Sequence, residues 1–174
     1  MFELNTERLK IVALDYENFK LHIENNGELQ RKLKVVITKE KLEDWFGEVM
    51  AEPLKVMIND LENQYFYTNW QVILKQENKV VAGICFKGPP DENGKVEIGY
   101  GTEESHQNRG IISEAIKKVV EWAFEQKNIK IVSAETDFDN IVSQKVLINN
   151  GFKKKKEYDD LFYFEINKQS YSFL

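Results

Sequence analysis

The chain has 174 residues, 42% hydrophobic and 30% charged, which is enough apolar material for one core and too little for two full-size domains. Twenty-four basic residues against 29 acidic ones leave a net charge of −5, a poor balance for a protein that wraps nucleic acid by neutralising phosphates. Residues 80–86 form the longest apolar run where a bilayer span needs about 20, Cys85 has no internal disulfide partner, and the first five residues lack a signal-peptide pattern, so a cytoplasmic protein with no membrane partner is expected.

Thr6 to Leu14 alternates Leu9 and Ile11 against Arg8 and Lys10 and predicts an opening strand, followed by Asp15 as a helix N-cap. Thr38 is the expected cap of a second helix, on which Leu42, Trp45, Phe46, Val49 and Met50 form one apolar stripe. Glu52-Pro53 is expected to end that helix, and Leu54, Met57, Ile58 and Leu61 predict a third short one after it. From Tyr65 to Lys87 the chain turns β-branched and aromatic, broken once by Gln76-Glu77-Asn78-Lys79, the pattern of a hairpin. A longer turn at 88–94 leads to a further antiparallel strand, Val96 to Tyr100. Ile112, Ala115, Ile116, Val119, Val120, Ala123 and Phe124 hold helical spacing over nearly four turns, the strongest periodic signal in the chain. Ile129 to Thr136 predicts a strand, Ile141 to Asn150 a helix closed by Gly151, and Leu161 to Ile166 a final strand. The basic run Lys153 to Lys156 is expected to be a solvated turn rather than a phosphate or RNA patch. The order implies both parallel and antiparallel pairing, hence a mixed sheet of the α/β or α+β class.

The chemistry is expected between Glu97 and Ala115, where a strand enters a polar loop that ends at Gly110 and the longest helix begins. A helix N-terminus offers free N–H groups and partial positive charge, so a loop wrapped over it makes an anion site to which Arg109 would add a fixed charge. The same residues also fit a plain strand-to-helix turn in which Gly110 relieves the backbone. Cys85, in an apolar run, is expected to be a buried small hydrophobe. Two histidines and one cysteine are too few soft ligands for zinc, so no metal is expected.

Gln107-Asn108-Arg109-Gly110-Ile111-Ile112 resembles the acetyl-CoA pyrophosphate loop of the GNAT N-acetyltransferases, whose pattern is Arg or Gln, two residues, Gly, one residue, then Gly or Ala. Thr6-Glu7-Arg8-Leu9, Glu97-Ile98-Gly99-Tyr100, Ser113-Glu114-Ala115, and Asn140 to Ser143 with Asn150-Gly151-Phe152 resemble, in order, further motifs of the branch that acetylates ribosomal-protein N-termini. The resemblance spans Thr6 to about Ile166. It implies one domain over residues 1–174, with a mostly antiparallel mixed sheet flanked by helices on both faces. It also implies acetyl-CoA as co-substrate, held by the backbone of Gln107, Asn108, Arg109, Gly110, Ile111 and Ile112. Tyr100, Gly101 and Thr102 would meet the pantetheine arm on one side and Asn140 on the other, where Asn140 equally fits a helix N-cap. Ile112 departs from the pattern, so either its side chain points away from the cofactor or the loop is displaced and affinity falls, and Gly101 replaces a bulkier residue, which would widen the acceptor side. Glu97 is the first candidate for the base that deprotonates the amine, with Glu135 and Asp137 behind it, and Ser143 is the candidate proton donor to the thiolate. The implied partner is a primary amine, either a protein N-terminus or a small molecule such as a polyamine or an aminoglycoside. A non-catalytic relative that binds CoA or a protein partner is the remaining class, and a monomer or a homodimer fits equally.

Overall fold

The computed structural model describes residues 1–171. Eight strands, β1 (Phe2–Asn5), β2 (Leu9–Ala13), β3 (Asn69–Leu74), β4 (Lys79–Phe86), β5 (Lys95–Thr102), β6 (Ile131–Asp137), β7 (Lys153–Tyr158) and β8 (Leu161–Asn167), form one sheet in the order β1-β2-β3-β4-β5-β6-β8-β7. Every neighbouring pair is antiparallel except β5 with β6. Six helices accompany it: α1 (Tyr16–Glu24), α2 (Asn26–Lys32), α3 (Asp44–Met57), α4 (Ile111–Glu125), α5 (Ile141–Asn149) and the short α6 (Lys168–Tyr171). Among the described residues no helix is long and apolar enough to cross a membrane.

The expected opening strand is two strands. Phe2 and Leu4 alternate with exposed Glu3 and Asn5 to make β1, and Thr6 closes the turn by donating its N–H to the Leu9 carbonyl (3.0 Å) and accepting from the Leu9 N–H (2.9 Å). Asp15 caps α1 as expected, accepting from the Asn18 N–H (3.1 Å). Thr38 caps nothing. Its N–H is taken by Gln30 Oε1 (2.9 Å), and the next helix starts only at Asp44. That helix runs through Pro53 instead of ending there. The N–H that proline lacks would have bonded the Val49 carbonyl, on the side of α3 that carries the exposed Trp45 and Val49, so the gap falls toward water. The stripe that packs inward is Phe46, Met50, Leu54 and Met57. The seven polar-rich residues of α2 carry no apolar periodicity and rely on the Asn25 cap, which accepts from the Glu28 N–H (3.1 Å).

The Lys153–Lys156 run is an outer edge strand, not a turn. All six residues of β7 are exposed, and lysines along a sheet edge oppose pairing with another molecule.

Helices cover both faces. On one face Val96 and Ile98 of β5, Val72 of β3 and Ile11 of β2 meet Ala115, Ile116, Val119, Val120 and Ala123 of α4, with Trp70 and Trp122 rings 4.6 Å apart. On the other, Val12, Leu14 and Ile73 meet Phe19, Leu29 and Met57. Because β2 and β3 present alternate residues to both cores, the cores are expected to melt together as one domain. Calorimetry is expected to give one thermal transition, unmoved by a chelator, whereas two resolved transitions would divide the chain.

Candidate active site

The parallel ladder between β5 and β6 is short. It joins Lys95, Val96 and Glu97 to Ile131, Val132 and Ser133, after which the strands diverge, while β5 stays paired with β4 as far as Thr102. On the β4 side, the Lys87 N–H donates to the Glu97 carbonyl and the Glu103 N–H to the Val81 carbonyl, both at 2.9 Å. Strand alternation then turns the backbone groups of Ile98, Tyr100 and Thr102 into the gap. A cavity of about 400 Å³ opens there, lined by Tyr100 to Thr102, the loop after β5, the first turn of α4, and Asn140 and Ser143 of α5.

The loop is bent by two left-handed residues, Asn108 (φ 59) and Gly110 (φ 72), conformations that asparagine and glycine adopt at the least cost. The first hydrogen bond of α4 is Glu114 N–H to the Gly110 carbonyl (3.1 Å), and no side chain caps the helix. The N–H groups of Ile111, Ile112 and Ser113 are thereby left for a ligand in the cavity. Ile112 packs against the core below α4 while also lining the cavity.

Two neighbours brace this loop from outside the cavity. Arg8 Nη1 donates to the Arg109 carbonyl (3.1 Å) and Arg8 Nε to Glu114 Oε2 (2.7 Å), and Thr6 Oγ1 donates to Glu114 Oε1. Burial pushes the Glu114 carboxyl up, but Thr6 and Arg8 outweigh it and hold it below the usual range. From the β3–β4 turn, Glu77 accepts from both terminal nitrogens of Arg109 (3.1 and 3.2 Å) and lies 2.9 Å from Nε2 of the buried His106. The Arg109 guanidinium is thus committed to Glu77 and does not line the cavity.

Asn140 caps α5, accepting from the Ser143 N–H (3.0 Å), and faces the cavity as well. Tyr100 reaches across the gap, with its hydroxyl 2.8 Å from Ser143 Oγ, and burial pushes the phenol's pKa up so that it keeps its proton. Its side chain carries no local signal in the sequence. Glu97 projects from the opposite face of β5, where its Oε1 rests against Lys87 Nζ, which also lies 3.1 Å from Glu135 Oε2. Glu97 lines neither this cavity nor the one behind it. Burial pushes the Cys85 thiol up, in keeping with a small packed residue.

The second cavity, about 220 Å³, lies on the Glu97 face and shares Gly101 with the first. Its floor is bare, since Gly83 and Gly101 face each other across β4 and β5 and nothing lies within 4 Å of where a Gly101 Cβ would be. Asn26, Gln30, Asn69, Gln71 and the buried His22 wall it. His22 Nδ1 donates to Asn26 Oδ1 (2.8 Å), which leaves Nε2 to accept from Gln71 Nε2 (3.3 Å). Burial holds the imidazole neutral, its pKa lowered to about 4. The unfolded chain takes up this proton near pH 6.5 and the folded one only near pH 4, so stability falls as pH drops through that window. Nothing is lost above the window. Urea denaturation from pH 7 to pH 4 is expected to register a loss of about 3 kcal/mol that His22→Gln largely removes.

An acetyltransferase (GNAT) domain family matches residues 8–153. The chain is 28% identical over 166 residues to the uncharacterized N-acetyltransferase YjdG of Bacillus subtilis (strain 168), covering 94% of this chain and 98% of that one. Over 94 residues, 54% of this chain and 52% of the relative, it is 31% identical to the ribosomal-protein-serine acetyltransferase of Escherichia coli (strain K12). Its fold matches that of spermidine N-acetyltransferase from Vibrio cholerae in complex with CoA and spermine at TM-score 0.66, with 13% identity and coverage of 96% and 99%. A family match over most of the chain, on a mixed sheet that splits beside a glycine-bearing loop and an uncapped helix, makes the protein an N-acetyltransferase of the GNAT family.

Proposed function

We propose that the protein transfers an acetyl group from acetyl-CoA to a primary amine of a peptide or amino-acid type, in the cytoplasm. The observation that carries the proposal is the opening between β5 and β6 beside the free N–H groups of α4. These residues fit the co-substrate: the gap offers unpaired strand edges to an amide-bearing arm, and the first turn of α4 offers N–H donors to a pyrophosphate. Gln107, Asn108, Gly110, Ile111 and Ile112 form the pyrophosphate side, while Tyr100, Gly101, Thr102 and Asn140 flank the arm. Arg109 contributes its backbone, since Glu77 holds its side chain.

Bound acetyl-CoA supplies a thioester carbonyl open to attack by a neutral amine. Glu97 lines neither cavity but stands on the acceptor face of β5 at the last paired step before the gap, so it takes the amine's proton through an intervening water, on the carboxylate oxygen not occupied by Lys87. Ser143 Oγ, held by its hydrogen bond with the Tyr100 hydroxyl, gives a proton to the departing thiolate and is reprotonated from solvent, while Glu97 releases the amine's proton to solvent. The carbon–sulfur bond breaks as the carbon–nitrogen bond forms, and the proton lost by nitrogen balances the one gained by sulfur.

Gly110→Val would strain a left-handed backbone as well as crowd the ligand, so Arg8 is the cleaner test of the loop. Arg8→Ala is expected to raise the KM for acetyl-CoA about tenfold with kcat changed little, the scale of one lost charged hydrogen bond, and Arg8→Lys to recover only part. An unchanged KM would free the loop from this brace. Glu97→Gln is expected to lower the rate roughly 10² to 10⁴-fold at neutral pH with acetyl-CoA affinity unchanged, and to regain part of it as the amine deprotonates in alkaline solution. A full neutral-pH rate would pass the role of base to Glu135, Asp137 or a held water.

A further inference from the structure

The cavity behind β5 contains no unpaired charge. His22 is neutral, and its neighbours Asn26, Gln30, Asn69 and Gln71 are carboxamides. The charged groups at the rim are already matched, Lys39 with Glu43 (2.8 Å) and Glu103 with Lys79 (2.7 Å). An ammonium placed against these walls gains no counter-charge from them, whereas a neutral amide can exchange hydrogen bonds with the carboxamides. The excess negative charge on this face lies elsewhere, where Glu97 and Glu135 share the single Lys87. Glu97 and Gly101 are on the same strand face, about 13 Å apart by strand rise.

The hydrogen-bonding valences left in the cavity are specific. Gln71 Nε2 is engaged by His22 Nε2 and, at 2.6 Å, by Asn69 Oδ1, and this leaves Gln71 Oε1 as an acceptor and Asn69 Nδ2 as a donor, without a hydrogen bond among the described residues. The Asn69 amide lies over the glycine floor, 3.3 to 3.4 Å from where a Gly83 Cβ would sit. One donor beside one acceptor over a bare strip of sheet matches a peptide group, which needs one of each.

We propose that this cavity is the acceptor subsite and that it selects an amine bearing one ammonium and a neutral, amide-containing remainder over a di- or polyamine, a proposal that rests on the transferase function stated above. The ammonium lies toward the Glu97 end and the amide between Asn69 and Gln71. Gly101 is the specificity-determining position, because its missing side chain keeps the floor open.

Three measurements on the full chain test this. Acetylation at saturating acetyl-CoA compares seryl-alanine amide with putrescine and spermidine, thermal shift follows binding of each amine to the cofactor-free protein, and calorimetry follows acetyl-CoA alone. The dipeptide amide is expected to exceed spermidine by at least about tenfold in kcat/KM and to raise Tm where spermidine does not. Gly101→Leu, at an ordinary φ with open space before it, is expected to lose both effects, and Gln71→Glu, at a residue that lines only the second cavity, to narrow the preference by adding a carboxylate while acetyl-CoA binding stays within about threefold. Spermidine handled as well as the dipeptide amide, a dipeptide amide that neither binds nor reacts, or one that Gly101→Leu handles unchanged, overturns the proposal. Failure of acetyl-CoA to bind would remove the transferase function instead, and the thermal shifts would still decide the selectivity.

Discussion

Backbone N–H and C=O groups inside a sheet must find partners, and β5 withholds them. Its ladder to β6 ends after Glu97 and Ser133, although both strands continue, β6 beside β8 and β5 beside β4. At the fork, the buried Ser133 hydroxyl donates to the Val96 carbonyl (3.2 Å), which supports the last paired step from the side. Beyond it β5 and β6 no longer pair, and the Tyr100–Ser143 hydrogen bond links β5 to α5 beside the opening. A sheet that closed would satisfy its own backbone and leave no strand edge to bind a ligand.

The loop that completes the opening is held by contacts of small individual worth. Arg8 is nearly half exposed, and exposed ion pairs contribute little to stability. Their effect lies in convergence. Arg8 grips the Arg109 carbonyl and Glu114 together, and Glu77 grips Arg109 and His106, so the segment between two left-handed residues is fixed at both sides and the N–H groups of α4 keep one direction. The Thr6-Glu7-Arg8 turn between β1 and β2 thereby gains a physical connection to the loop before α4, more than a hundred residues away in sequence.

The two faces of β5 serve different ends. Val96 and Ile98 anchor the strand to α4, while Glu97, Gly99 and Gly101 present one carboxylate and then bare backbone to the other side. Removing side chains there weakens the strand's packing and opens the floor of the second cavity. A neutral imidazole and a row of carboxamides give that cavity directional hydrogen bonds without net charge.

The sequence alone determined the elements whose cause is local. The stripe of α4, the β-branched and aromatic texture of β3 and β4 with the polar hairpin between them, the Asp15 cap, the Gly151 helix end and the strand-loop-helix order around Gly110 all follow from patterns and caps within a few residues. Tertiary structure decided what depends on a partner. Lys153–Lys156 is a strand because β8 lies beside it, α3 runs through Pro53 because its inward stripe is packed and the missing bond falls toward water, and Thr38 is taken by Gln30 before it can cap a helix. The same holds for the site: Arg109 turns to Glu77, 32 residues away, Tyr100 to Ser143 at 43, His22 to Gln71 at 49 and Arg8 to the Arg109 carbonyl at 101. Those pairings exist only once the chain has closed over those distances, and no local periodicity encodes them.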